Sequence, residues 1–330
     1  MISLERSEDI EAVAPPRSTV VYLDQNKWID LMRAAQTPAD HARDHQVLER
    51  LCAAVEAGRV RLPLTSSNLY ETHKVNDAPL RAAIAYTQVT LSRAQVFRGR
   101  KRRLEVEVGR ILADIYGVPW TEPNPDWVFS RLFIEAQAEV DDPRLSLDIS
   151  ERVLRLFRED PEAALFDYLA DSDDDVRRQA VATFEQGAER LRADIEVRRA
   201  KHRNESLSMR RRIYSVLLAL GDQEFMIDTA VKLGLPWRCF MDNKGATMRR
   251  VVKDTPTFLI EREVSLKLEG QRGNIHINDM RDMQNFTTVL PYSNIVVAEN
   301  KFINLARQAG LAECFDVRLE TDLGVLLESI

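Results

Sequence analysis

Apolar residues along this chain recur at two spacings, and the changes between them mark its elements. Thr19-Val20-Val21-Tyr22-Leu23 is a continuous β-branched and aromatic run that stops at Asp24, and a helix-like pattern follows over residues 29–35. Val47, Leu48, Leu51 and Val55 then repeat at three- and four-residue steps, with Gly58 where such a helix would stop. Val60, Leu62 and Leu64 alternate with Arg61 and Pro63 before the N-cap cluster Thr65-Ser66-Ser67-Asn68. This predicts a short second strand and a helix beginning near Asn68 with Glu71 in its first turn. Strands separated by helices imply a parallel sheet, with Asp24 and Glu71 along one edge of it.

From about 80 to 248 the pattern is mostly helical, broken at Gly117-Val118-Pro119-Trp120 and Pro123-Asn124-Pro125-Asp126. The best amphipathic segment spans 173–203, with Val176, Ala180, Phe184, Ala188, Leu191 and Ile195 on one stripe and Asp171-Ser172-Asp173-Asp174-Asp175 at its acidic entry. The α/β rhythm returns with a helix opening at Asn278-Asp279-Met280-Arg281-Asp282-Met283 and ending near Pro291. A β-prone run, Asn294-Ile295-Val296-Val297-Ala298, stops at Glu299, and a helix over 301–309 stops at Gly310. A last strand around 315–318 and a closing helix over 322–329 complete the sheet. The expected layout is a tail over 1–16, an α/β domain in two halves (17–114 and 246–330), and a helical insertion or subdomain over 115–245.

At 330 residues, with 45% hydrophobic, 7% aromatic and 30% charged positions, the chain can build a sizeable core. No apolar run approaches the ~20 residues that cross a bilayer, and residues 1–17 carry four acids and no apolar leader core. The expectation is a cytoplasmic protein with no membrane partner. Cys52, Cys239 and Cys314 are far apart, form no CxxC pair and have no zinc spacing to the five histidines, so they read as reduced thiols.

Asp24, Glu71, Asp279, Asp282 and Glu299 come from four separate segments, each at a strand tip or a helix start. Asp279 and Asp282, three apart, share a helix face. Gathered at one sheet edge, such acids repel one another unless a cation joins them, and Mg²⁺ or Mn²⁺ prefers carboxylate oxygens. Taken singly, each acid also fits a plain capping role, because negative charge favours first helical turns.

The run Val21-Tyr22-Leu23-Asp24-Gln25-Asn26-Lys27-Trp28 resembles the first motif of PIN-like nucleases, and Glu71 in Ser67-Asn68-Leu69-Tyr70-Glu71 is similar to their second. The segment from Asn278 through Asp282 and then Leu290 to Phe302 resembles their third and fourth acidic motifs, in order. The resemblance covers 17–95 and 270–330. It implies an α/β, PIN-like (Rossmannoid) parallel sheet flanked by helices, with a large helical insertion, and a metal-dependent endoribonuclease in a toxin or phage-defence setting. Asp24, Glu71 and Asp279 or Asp282 or both would hold Mg²⁺ or Mn²⁺, Asn26 would orient Asp24 through a hydrogen bond, and Glu299 would bind metal or position water. Glu299 stands where the family usually has Asp, and which of Asp279 and Asp282 is the third acid stays open.

The net charge of -6 argues against a polyanion partner, but the basic residues are bunched. They lie at Arg98, Arg100, Lys101, Arg102 and Arg103; at Arg198, Arg199, Lys201, His202 and Arg203; at Arg210, Arg211 and Arg212; and at Arg249 and Arg250. On one side of the insertion these runs would guide a phosphate backbone to the acids; as solvated helix faces they would do nothing. Tyr214, Trp237 and Phe240 could stack bases, and His73 or His276 could move protons. The expected partner is RNA before DNA, and a homo-oligomer or an inhibitory or regulatory protein partner is compatible with this. Two rival expectations use the same residues: a catalytically inactive PIN-like scaffold that binds RNA or protein through its helical part, and a small-molecule phosphatase.

Overall fold

The structure, a computed structural model, describes residues 18–121, 124, 126–137, 151–271 and 273–330. The expected tail over 1–16 and two residues of the Pro123 to Asp126 break lie outside them. Four strands form one sheet: β1 (Thr19–Leu23), β2 (Val60–Arg61), β5 (Ile295–Val297) and β6 (Arg318–Glu320), ordered β2-β1-β5-β6 and parallel throughout. Two further short strands, β3 (Val96–Phe97) and β4 (Phe129–Ser130), pair antiparallel beside it, and Leu64 bridges to Val96. The fold is therefore α/β with helices flanking a parallel sheet.

The helices that follow β1 and β2 are α1 (Gln25–Gln36), α2 (Ala42–Glu56), α3 (Ser66–Lys74) and α4 (Ala78–Ser92). Then come α5 (Arg100–Tyr116), α6 (Glu151–Glu159), α7 (Pro161–Ala170), α8 (Asp174–Lys201), α9 (Leu207–Gly221), α10 (Gln223–Lys232), α11 (Asp242–Asp254) and α12 (Pro256–Gly270). The chain closes with α13 (Ile277–Val289), α14 (Asn300–Gln308), α15 (Leu311–Phe315) and α16 (Leu326–Ser329).

Alternation along β1 sends its side chains into two cores. Val20 and Tyr22 pack with Val296 and Leu319 under α8, α12, α13 and α14, through residues such as Ile195, Val264, Met283 and Phe302. Val21 and Leu23 pack with Ile295 and Val297 under α1, α2, α4 and α7, through Trp28, Leu51, Val89 and Leu165. Because both faces are covered, β1 is apolar along nearly its whole length, as parallel strands between helical layers are. A third core joins α5, α10, α11 and α12 through Leu104, Met226, Val251 and Phe258. Residues 115–245 thus supply α7 to one face of the sheet, α8 to the other, and α10 to the third core.

Three local expectations shift. Glu71 lies in the second turn of α3, because Thr65 takes the cap: its side chain accepts the Asn68 N–H, and Asn68 Oδ1 accepts the Thr65 N–H at 3.0 Å. The second strand is short, since Pro63 has no N–H to pair and Leu64 turns to β3. The last strand begins at Arg318, not 315, because Leu311–Phe315 is helical and Asp316 reverses the chain in the left-handed region at φ 51°.

Candidate functional site

The sheet order places a switch point between β1 and β5: the chain leaves β1 towards β2 and leaves β5 towards β6. Crevices at the carboxyl ends of such neighbouring strands are where open α/β sheets bind ligands. Leu23 pairs with Val297, and the Asp24 N–H reaches the Val297 carbonyl at 3.0 Å, so Asp24 and Glu299 leave adjacent strands at nearly the same level. Each then stands at the start of a helix, Asp24 capping α1 with its side chain and Glu299 at the N-cap position of α14 with no side-chain cap bond. From one side α13 brings Asp279 and Asp282, and from the other α3 brings Glu71. Asp24, Asp282 and Glu299 line one pocket with Tyr22 and Asn285, walled by Phe286 and Phe302.

The five acids feel one another. Burial pushes the Asp24 carboxyl up to about 6, Glu299 and Glu71 adding to the rise while the Gln25 N–H (2.9 Å) and Lys27 oppose it. Burial likewise pushes Asp282 up to about 8, with the charges of Asp24, Glu299, Asp279 and Glu71 behind it. The Asp282 carboxyl makes no hydrogen bond or ion pair among the described residues.

The other two acids have internal counter-charges. Asp279 is buried, accepts the His276 N–H at 2.9 Å and pairs with Lys301, so its capping role is real. Glu71 takes Arg281 at 3.2 Å; the Arg281 guanidinium stacks 4.7 Å over Tyr70 and reaches Glu185 of α8 at 3.3 Å. Sequence reasoning passed over Arg281 and Lys301, although each lies within two residues of a named acid. It also missed a closed side-chain ring: Gln25 Nε2 donates to Thr72 Oγ1 at 3.1 Å, Thr72 Oγ1 to Gln88 Oε1 at 2.9 Å, and Gln88 Nε2 to Gln25 Oε1 at 3.1 Å. This ring ties α1, α3 and α4 together beside Asp24 and Glu71, and only long-range packing could reveal it.

Asn26 forms no hydrogen bond with Asp24, and its Oδ1 is buried without a partner. That corrects the orienting role expected for it: Asp24 is fixed instead by the N–H of the helix it caps. Among the described residues no group of three or more His, Cys, Asp or Glu side chains stands in ligating geometry. The donor set still fits a hard divalent cation, because Asp24, Asp282 and Glu299 are all oxygen donors and a bound cation would relieve the repulsion that adds to the effect of burial on two of them.

Many members of the basic runs have internal partners. Arg100 forks onto Asp222 at 2.8 Å and Glu261, Arg102 pairs with Glu135, and Arg103 is fully buried and donates to the Arg98 carbonyl. Lys101 is half-buried on α5, where burial and then Arg102 push its ammonium below the usual range. Arg199 holds the Gly273 carbonyl at 2.7 Å, and Arg211 pairs with Glu263 at 2.7 Å. Lys201, Arg203 and Arg212 are exposed. Tyr214 and Phe240 are buried, and Trp237 is exposed. His73 is buried, bonded to the Tyr168 carbonyl at 2.9 Å, and pushed down to about 4, chiefly by burial, so it is neutral near pH 7. No helix of the described residues is long and apolar enough to cross a membrane. Comparison of the chain with protein-family models, with curated proteins and with solved structures finds no match.

Proposed function

We propose that this chain is a PIN-like nuclease that uses Mg²⁺ or Mn²⁺ to hydrolyse phosphodiester bonds, with RNA as the favoured substrate. One observation carries the reading: at the β1/β5 switch point Asp24 and Asp282 hold raised carboxyls, beside an exposed Glu299, in a pocket with no internal cation paired to Asp282. Asp24, Asp282 and Glu299 would hold the ion. When bound, it supplies positive charge where negative charge develops on the phosphodiester. Asp282, its carboxyl raised to about 8, would hold the ion as the carboxylate. Glu299, the most exposed of the three, is the carboxylate able to take a proton from the attacking water. Hydrolysis forms a P–O bond to that water and breaks the P–O bond to the leaving ribose oxygen, which receives a proton.

The experiment is cleavage of single-stranded and structured RNA by the wild-type chain and by Asp24→Asn and Asp282→Asn, with Mn²⁺ and with EDTA. Activity lost in both variants and in EDTA is expected; cleavage that survives all three sinks the reading. A second reading, a catalytically inactive PIN-like scaffold, draws on the pairing of Glu71 with Arg281 and of Asp279 with Lys301, which spends two of the acids on internal cations. It predicts no Mn²⁺ binding by electron paramagnetic resonance, where the nuclease reading predicts a bound ion.

A further inference from the structure

Asn285 lies on α13 one turn beyond Asp282, is 5% exposed, and lines the pocket of Asp24, Asp282 and Glu299. Its amide is not free to turn. Thr65 Oγ1 accepts the Asn68 N–H of the α3 cap at 3.3 Å and sits 2.8 Å from Asn285 Oδ1. A hydroxyl has a single proton to give, and an amide oxygen can only accept; Thr65 Oγ1 also lies 3.0 Å from Asn68 Oδ1, so the two amide oxygens share that proton, and Asn285 Oδ1 is the nearer of them. With its oxygen fixed at α3, the amide turns Nδ2 the other way. That NH₂ makes no hydrogen bond among the described residues, so no carboxylate of the pocket is its partner. The Tyr22 hydroxyl, lining the same pocket, is buried beside Thr65 and Asn68.

A neutral donor among acids has a specific use. Lysine or arginine there would compete with a divalent cation for the carboxylates; an amide NH₂ does not, and it bonds well to an anionic oxygen brought in with the ion. Resting on the nuclease reading above, we infer that Asn285 Nδ2, held in place by Thr65, is a substrate-contacting donor for a non-bridging phosphate oxygen of the bound strand. Thr65 is then a positioning residue.

The closing experiment uses the full chain and adenosine 5′-monophosphate as the phosphate probe. Asn285→Asp keeps the shape and the oxygen that Thr65 holds but replaces the NH₂ with a second acceptor. Mn²⁺ binding is measured by electron paramagnetic resonance, and nucleotide binding in saturating Mn²⁺ by calorimetry. Expected is Mn²⁺ affinity at least equal to wild type, with nucleotide affinity lower by about 10–100-fold, the scale of one hydrogen bond to a charged group. Thr65→Val should weaken the nucleotide by a smaller factor and leave Mn²⁺ binding unchanged. Asn285→Ala, read in the same way, covers the case in which the added charge unfolds the chain. Nucleotide affinity within about twofold of wild type, with Mn²⁺ retained, overturns this inference alone; a wild-type chain that binds no Mn²⁺ overturns the nuclease reading and this inference with it.

Discussion

Replacing Asp282 with asparagine should make the cation-free protein more stable, although the residue is placed in the candidate active site. The Asp282 carboxyl is raised from its ordinary 3.8 to about 8, first by burial and then by Asp24, Glu299, Asp279 and Glu71. At about 1.4 kcal/mol for each factor of ten, that displacement puts roughly 6 kcal/mol on the ionised form. Asp24 shares the repulsion and is itself raised, so we assign a third to a half, ~2–3 kcal/mol, to the removal of Asp282 alone. The sign follows from proton linkage. A carboxyl raised in the folded state binds more protons folded than unfolded between about pH 4 and 8, so stability falls as pH rises through that window. Asparagine is isosteric and cannot ionise, so its advantage is absent near pH 4 and complete above about pH 8. For a chain of 330 residues, ~2–3 kcal/mol corresponds to a rise in Tm of about 3–4 °C. The assay is thermal unfolding followed by circular dichroism in EDTA, at pH 4 and pH 8.5. Mn²⁺ at a hundred times its Kd should then stabilise wild type by about 2.7 kcal/mol and the variant by less. No gain at pH 8.5, or the same gain at both pH values, refutes the reasoning, since equal gains would mean better packing and not relieved charge.

Three further outcomes are expected. His73, pushed down to about 4 chiefly by burial, binds fewer protons folded than unfolded between about pH 6.5 and 4. It should therefore cost wild type up to ~3 kcal/mol as pH falls through that window, and urea titrations of His73→Gln should lack this contribution. Arg100→Met leaves Asp222 and Glu261 without their shared cation and unties α5 from α12, so the urea midpoint should drop by the equivalent of about 3–5 kcal/mol; a loss below ~1 kcal/mol would show the pair to be screened by solvent. In Gly109→Ala the new Cβ would stand 2.7 Å from the Trp120 ring, so tryptophan fluorescence should shift and stability fall by about 1–2 kcal/mol despite the helix-favouring alanine. Unchanged fluorescence would mean that Trp120 does not pack there.

Much of the site could be read one segment at a time. The acids stand at strand ends and helix starts, where local signals are strong: a β-branched run ending in Asp24, another ending near Glu299, and Asp279 at the cap of α13. Glu71 was displaced by a turn because Thr65 and Asn68 form a reciprocal cap that a list of cap-competent residues cannot rank. The internal pairing of the basic runs was hidden for a related reason. A helix lists its charges in order, but whether Arg100 meets solvent or Asp222 and Glu261 depends on neighbours more than a hundred residues away.

By itself the sequence determined the alternation of strands and helices, the covered parallel sheet, and the candidate acids with their order along the chain. These follow from periodicity and capping, which act over a few residues. Only the tertiary structure decided which acids keep a free carboxylate and which are answered by Arg281 and Lys301, and that Thr65 meets the Asn285 amide. Those are contacts between residues as many as 220 apart, set by how the sheet brings α3 and α13 together across β1 and β5. A charge's partner is fixed by side-chain direction and packing in three dimensions, and neither has a period in the sequence.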